Sequence, residues 1–401
     1  MDAPRRAAKT AASSDLIAGL RVAISLLSAA LGGVLALLAF SSARMARKVV
    51  TPASRLPDTQ IVALDTAAQT ITLTRTPDTE LPGRYGLFTT GTSGYVKLGS
   101  VLSEDAATVK RKLLTHVAPN SRLGTNAAFS GWYFERPDEL HLPYTPELIG
   151  SAVGPCPAWL FPAGDSTTWV IQIHGRGTTR SECLRAVPVF HALGISSLVV
   201  SYRNDGEAPR SRAGTYALGA TEWRDVDAAV AFARRRGARR VILMGWSMGG
   251  AIALQVSLNS AHRDLIVGLV LESPVIDWRL VLEYQAKLMH VPTAVTGLAL
   301  EALRHDWVAA GGAIPFDRLD VVARAEELRH PMLILHSDDD GYVPSDASHH
   351  LVDARPDLVD LEVFEVARHT KLWNYDQERW STSIRSWLAT HGLSNEAAAE
   401  G

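Results

Sequence analysis

The chain has 401 residues, 47% hydrophobic and 20% charged, which supplies enough apolar side chain for a substantial core and too little charge for a globally disordered chain. The formal net charge of −2 hides an asymmetry: residues 1–55 hold eight Lys and Arg against Asp2 and Asp15, so the remainder is acidic. A nucleic-acid enzyme carries its basic excess on the folded domain; here that excess flanks an apolar stretch, which argues against nucleic acid as a partner and for a membrane.

That stretch runs from Val22 to Phe40 without a charge. An uncharged run of ~18 residues or more is long enough to cross hydrocarbon as a helix. Residues 1–21 therefore read as a cytoplasmic N-terminal tail, 22–40 as a transmembrane helix or signal anchor in contact with membrane lipid, and 41–57 as a linker with Pro52 and Pro57 as breakers. The rival reading is a cleaved signal peptide: its apolar region is usually shorter, ~7–15 residues, but Ser41-Ser42-Ala43 offers small residues for a peptidase. Arg5, Arg6, Lys9 and Arg21 precede the run, and Arg44, Arg47, Lys48 and Arg55 follow it, so flanking charge does not choose an orientation. The short basic N-terminal flank favours a catalytic domain outside the cytoplasm.

Residues 58–145 form the next unit. Ile61 to Leu64, Thr70 to Thr74 and Tyr95 to Leu98 alternate as strands do. They predict a small β-rich accessory region, followed over 129–145 by an aromatic, proline-rich connector packed on the main domain. From 146 to 391 the pattern alternates between strand and helix. Strands are predicted at 169–173, 197–202, 240–244, 266–271, 332–335 and 361–366, with helices near 181–193, 221–236, 249–258 and 380–388. Such alternation predicts a mostly parallel sheet with helices on both faces. Residues 274–330 are too long for a structureless loop and read as a helical cap. The cap's apolar run, Val291 to Leu300, has Lys287 and His290 before it and Glu301 and Arg304 after it, which argues against a second span. Residues 392–401 read as a polar tail. Cys156 and Cys183 read as buried thiols, with a disulfide as the alternative in an oxidising compartment.

Chemistry concentrates at Gly245-Trp246-Ser247-Met248-Gly249. A strand enters this segment and a helix leaves it, so Ser247 sits at a tight strand-to-helix turn, with its Oγ raised above the sheet edge. The helix N-terminus then presents free N–H groups to a developing oxyanion. A nucleophilic serine needs a base, and the base needs an orienting acid. Candidate acids follow a later strand at Asp338, Asp339 and Asp340, with Asp277 a more distant one. The candidate base is His369, behind the strand after those acids. His336 and His174 lie inside other motifs, His349 and His350 on a solvent-facing helix, and His391 near the chain end. Trp246 is a candidate for lining the acyl pocket, or else packs beneath the turn.

Four segments appear in order at strand ends: His174-Gly175-Arg176-Gly177, Gly245 to Gly249, Asp340-Gly341-Tyr342-Val343-Pro344, and Arg368-His369. Over about residues 146–391 the chain resembles the α/β-hydrolase superfamily of esterases, lipases, thioesterases and related peptidases. His336-Ser337-Asp338-Asp339-Asp340 to Pro344 is similar to the family's H-G-x-x-D-x-x-V-P segment, with Ser337 in place of glycine, and that register selects Asp340. The resemblance implies an oxyanion hole from the N–H groups of Met248 and Arg176; the Arg176 side chain is a candidate contact for an anionic substrate group, or else points to solvent or pairs with a nearby acid. Tyr202 to Gly206 resembles the loop after the next strand in many members, without their second glycine. The expected activity is hydrolysis of a small carboxylic ester through an acyl-enzyme, without a cofactor, the apolar cap at 291–300 sheltering the acyl chain. Peptidase, thioesterase and acyltransferase activities use the same triad, and a non-catalytic membrane-tethered scaffold is the alternative of another class.

Overall fold

The computed structural model describes residues 3–52, 55–92, 94–309 and 311–394, and of residues 3–20 the backbone alone. The tail expected over 392–401 lies outside the described residues from 395 onward.

The N-terminal element is one helix, α1 (Ala3–Val50). Its stretch Arg21–Val50 is long and apolar enough to cross a membrane, and Leu26, Leu27, Leu31, Leu37 and Phe40 stand exposed along it. The expected linker is corrected here: residues 41–50 continue the helix. Ser42, Ala46 and Val50 recur every four residues on one face and are buried, while Met45 and Val49 pack beside them. This small-residue face lets α1 lie close against a helix of the cap, and the chain leaves the helix only at Thr51-Pro52.

Residues 59–130 form a closed six-stranded barrel of β1 (Thr59–Asp65), β2 (Thr70–Thr74), β3 (Tyr85–Phe88), β4 (Tyr95–Glu104), β5 (Thr108–Leu113) and β6 (Asn126–Ser130). Its order is β1-β2-β5-β4-β3-β6, and every pairing is antiparallel. Closure removes the exposed sheet edge that so short a sheet would otherwise present. Ile71, Leu73, Tyr85, Leu87, Val96, Leu98 and Phe129 fill the interior together with one charge, Arg111. Its guanidinium donates to the carbonyls of Thr79, Leu81, Gly83 and Gly99 at 2.7–3.0 Å. Burial lowers Arg111 to about 10, and its acceptors are neutral carbonyls.

The connector brings Tyr133 and Phe134 against Trp373, with ring centroids 5.5 and 6.0 Å apart. The main sheet then begins with two strands the sequence pattern did not mark, β7 (Thr145–Ser151) and β8 (Gly154–Phe161). After these come β9 (Thr168–Ile173), α2 (Val187–Ala192), β10 (Ser196–Val200), α3 (Trp223–Arg235), β11 (Arg240–Trp246), α4 (Met248–Asn259) and β12 (Ile266–Glu272). Helices α5 (Trp278–Leu288), α6 (Thr293–Arg304) and α7 (Phe316–Leu319) make the cap. The chain returns through β13 (Met332–Ser337), α8 (Asp346–Ala354), β14 (Val359–Phe364), α9 (Leu372–Tyr375) and α10 (Gln377–Thr390). Sheet order is β14-β13-β12-β11-β9-β10-β8-β7; β7 and β8 are antiparallel and the other six strands parallel. β9, β10, β11 and β13 are buried along both faces, as a sheet covered by helices on each side requires. All the loops that carry the sequence motifs leave the carboxyl ends of these parallel strands.

The barrel docks on α9 and the residue before it. Arg84 N–H donates to Asn374 O at 3.1 Å, Asn374 Nδ2 donates to Arg84 O at 2.7 Å, and Lys371 pairs with Asp78 at 3.0 Å. Cys156 and Cys183 are both buried and free, so the disulfide alternative does not hold. Burial pushes the Cys156 thiol up to about 11 and the Cys183 thiol well above its usual range.

Candidate active site

β11 lies between β9 and β12, and its end delivers Ser247 into α4. Ser247 has φ 52° and ψ −117°, a left-handed conformation that costs a serine roughly 1–3 kcal/mol and is tolerated where function needs it. The two glycines of the motif make the turn possible. A Cβ on Gly245 would lie 2.4 Å from Gly249 O, and one on Gly249 would lie 2.1 Å from Ile173 O.

Three predicted residues come together here. His369 Nε2 stands 3.0 Å from Ser247 Oγ, and its Nδ1 stands 2.8 Å from Asp340 Oδ2. Asp340 is buried, and its other oxygen accepts the N–H groups of Tyr342 and Val343 at 2.8 and 2.9 Å. Burial alone would raise the Asp340 carboxyl. The His369 charge and hydrogen bonds from His336 and His369 outweigh burial and hold it below the usual carboxylate range. An ionised Asp340 requires the proton on His369 Nδ1, which leaves Nε2 as an acceptor facing the serine.

The other candidate acids are engaged elsewhere. Asp338 accepts from Ser345 Oγ at 2.7 Å and pairs with His349 at 3.1 Å, Asp339 pairs with Arg368, and Asp277 caps the first turn of α5. His336 contacts Ser348 Oγ and Val343 O. The His369 loop is strained on both sides, with φ 60° at Arg368 and 50° at Thr370. Arg185 Nη1 donates to Thr370 O at 2.9 Å, and Thr370 N–H donates to Ser273 Oγ at 3.3 Å, so the loop is held from beneath.

On the opposite side lies the His174–Gly177 loop. Gly175 N–H donates to Glu182 Oε2 at 2.8 Å, so that amide is occupied and Arg176 is the next in line. Met248 is the first residue of α4, where an N–H has no acceptor within its own helix. The loop rests on a buried brace: His174 Nε2 lies 3.1 Å from Asp205, and Tyr202 stacks on the imidazole at 4.3 Å. Burial would raise Asp205, but the His174 hydrogen bond and charge and two backbone N–H groups hold it low. Arg203 forks onto Asp225 with two 2.7 Å contacts. Tyr202 to Asp205 thus build the support under the loop.

Three expectations are corrected by packing. Trp246 is fully buried and its Nε1 donates to Glu272 Oε2 at 2.8 Å, so it packs beneath the turn and does not line the cleft. The side chain of Arg176 turns to α1, its Nη2 donating to the carbonyls of Lys48 and Thr51 at 2.9 and 3.0 Å. The apolar run at 291–300 buries Val295, Ala299 and Leu300 in the core beside α1 and contributes nothing to the cleft wall. Sequence reasoning missed the buried Glu272, which also accepts Trp380 Nε1 at 2.9 Å and lies 3.7 Å from Arg185. Its signal was present: a carboxylate ending an otherwise apolar strand.

Ser247 and His369 open into a cleft of about 450 Å³. Asp78, Phe129 and Ser130 of the barrel unit line it, with Arg55 and Leu56 of the segment after α1. Among the described residues no group of three or more His, Cys, Asp or Glu could hold a metal ion.

Residues 164–309 match the family model described as serine aminopeptidase, S33, and residues 60–130 match a domain of unknown function (DUF8805). No curated protein matches the chain. Among solved structures, an esterase of Pyrococcus furiosus, Pf2001, shares 18% identity at a TM-score of 0.52, covering 64% of this chain and 94% of its own. Est1E from Butyrivibrio proteoclasticus shares 16% identity at 0.49, covering 62% and 99% of the two chains. A puromycin-hydrolysing peptidase of Mycobacterium tuberculosis shares 19% at 0.49, covering 81% and 46%. The sheet order, the turn at Ser247 and the family model matched over residues 164–309 give this chain an α/β-hydrolase domain, and by class it is a serine hydrolase.

Proposed function

We propose that the protein hydrolyses a carboxylic ester through an acyl-enzyme on Ser247, with His369 as general base and Asp340 as its orienting acid. The observation that carries this reading is His369 standing within 3.0 Å of Ser247 Oγ on one side and 2.8 Å of Asp340 on the other. Ser247 Oγ attacks the ester carbon while its proton passes to His369 Nε2. The N–H groups of Met248 and Arg176 receive the oxyanion. The C–O bond to the alcohol breaks, and His369 returns the proton to the departing oxygen. Water then gives a proton to His369 and its oxygen to the acyl carbon. The bond to Oγ breaks, Ser247 recovers its proton, and a carboxylic acid leaves.

The same steps on a peptide bond are the second reading, favoured by the family model's description as a serine aminopeptidase. A panel of p-nitrophenyl esters and aminoacyl p-nitroanilides, run on the wild type and on Ser247→Ala, separates the two. Ester turnover that disappears in the variant is expected; anilide turnover exceeding ester turnover would favour the peptidase, and full turnover by Ser247→Ala would remove both readings.

The domain plan belongs to the same proposal: a membrane helix over 22–40, a barrel and connector over 58–145, and a hydrolase domain over 146–391. The apolar face of α1 up to Phe40 stands exposed, whereas Ser42, Ala46 and Val50 are built into the protein. That division supports a retained anchor, and the short basic N-terminal flank favours the N-terminus inside and the catalytic domain outside the cytoplasm.

A further inference from the structure

Four cations border the cleft: Arg55, Arg176, Arg368 and Lys371. Three are committed to other groups. Arg176 donates to the carbonyls that end α1. Lys371 and Arg368 share Asp78 at 3.0 and 3.7 Å, and Arg368 also reaches Asp339 at 3.2 Å.

Arg55 differs. Its guanidinium carbon lies over the rings of Phe88 and Trp132, 3.5 and 4.7 Å from their centroids, and those two rings meet edge to face at 66°. Among the described residues it has no carboxylate within 4.0 Å and no hydrogen-bond acceptor. The acids whose field reaches it are Glu182, Asp58 and Glu135. Glu182 is turned to Gly175 N–H and Thr178 Oγ, and Asp58 to Phe129 N–H. The two inclined rings form a corner that holds the guanidinium in place, and its N–H groups have no protein acceptor among the described residues. A planar, fixed guanidinium in a partly dry cleft is suited to two parallel hydrogen bonds from a carboxylate. Of the two acidic side chains in the cleft wall, Asp78 already serves two cations and Glu182 two donors, so the wall is positive overall.

Resting on the ester-hydrolase reading, we infer that Arg55 forms an anion subsite and that the preferred substrate is an ester carrying a free carboxylate. Carboxylate recognition then falls to Arg55, while the Arg176 side chain holds its own loop to α1.

The test uses the full-length chain in detergent and two matched pairs of probes. Mono-p-nitrophenyl glutarate against p-nitrophenyl butyrate places the carboxylate on the acyl side. p-(Butyryloxy)benzoate against its methyl ester places it on the alcohol side. For the wild type, kcat/KM is expected to favour the anionic member of at least one pair, less so as salt rises. In Arg55→Ala that preference should fall on the order of tenfold, the size of one charge-assisted hydrogen bond, chiefly through KM. Arg55→Lys should restore part of it, as a charge without the fork. An unchanged ratio in Arg55→Ala for both pairs, or no anionic preference in the wild type, overturns the inference. Labelling of each protein with a fluorophosphonate keeps the two readings apart. A labelled enzyme that turns over neutral esters without charge preference sinks the subsite alone; absence of labelling sinks the serine-hydrolase mechanism beneath it.

Discussion

Asp340 shows how one side chain can tie stability to catalysis. Its carboxylate accepts two backbone N–H groups and the His369 ring from a buried position. Asp340→Asn keeps the shape but offers His369 Nδ1 an amide, which favours the wrong tautomer; a fall in kcat on the order of 10⁴-fold is expected from steady-state kinetics. The same substitution has a pH signature. The folded carboxyl titrates below its unfolded value of about 3.9, so its stabilisation is complete above that pH and is lost as pH falls through the folded value. Urea melts should therefore show a gap between wild type and Asp340→Asn at pH 7 that narrows below about pH 4. A gap that widens in acid would reverse the assignment. The choice of Asp340 over Asp338 and Asp339 depended on a motif register and not on residue chemistry, because all three are carboxylates behind one strand. The register coincides with the acid that touches His369.

At the scale of elements, α1 and the His174–Gly177 loop are joined through one guanidinium. Arg176 holds the carbonyls of Lys48 and Thr51, and Val50 O accepts Tyr216 N–H at 2.8 Å. Arg176→Ala keeps the backbone N–H assigned to the oxyanion but releases the loop that aims it. Such a misplacement should lower kcat by roughly tenfold with KM nearly unchanged, a smaller loss than the ~10²–10³ of deleting an oxyanion donor. Equal effects on kcat and KM would place Arg176 in substrate binding instead.

β9, β10, β11 and β13 were legible because each is an apolar run ended by a motif, and the strand-to-helix setting of Ser247 followed from them. β5 was not legible: Thr-Val-Lys-Arg-Lys-Leu alternates correctly, with Val109, Arg111 and Leu113 inward, but the inward arginine makes the segment read as polar. β7 and β8 were hidden by Pro146, Pro155 and Pro157: β7 is an edge strand, where proline is tolerated, but β8 carries two prolines while paired on both sides, against the usual pattern. The continuation of α1 past Phe40 escaped notice because Ser42 and Ala46 carry no hydropathy signal; their smallness acts only against α6.

For the molecule as a whole, the barrel, the segment after α1 and the hydrolase loops enclose one cleft, so the accessory region is part of the substrate's surroundings. The apolar part of α1 stands apart from that assembly. A chain beginning at residue 41 keeps Ser42, Ala46 and Val50 in place, and it is expected in the soluble fraction, with esterase activity within about twofold of the full-length protein in detergent. A chain beginning at residue 53 removes the buried face of α1 and the partners of Arg176, and its melting temperature should fall by several degrees, as burial losses of about 2–4 kcal/mol imply. Persistence of the residue-41 chain in washed membranes would contradict α1 as the sole anchor.

The central claim is that Ser247 is a nucleophile activated by His369. Intact-protein and peptide mass spectrometry after incubation with a fluorophosphonate tests it most directly. One adduct, carried by the peptide containing Ser247 and absent from Ser247→Ala and His369→Ala, is the expected result; a folded wild-type protein that stays unmodified, or an adduct on another serine, would contradict it.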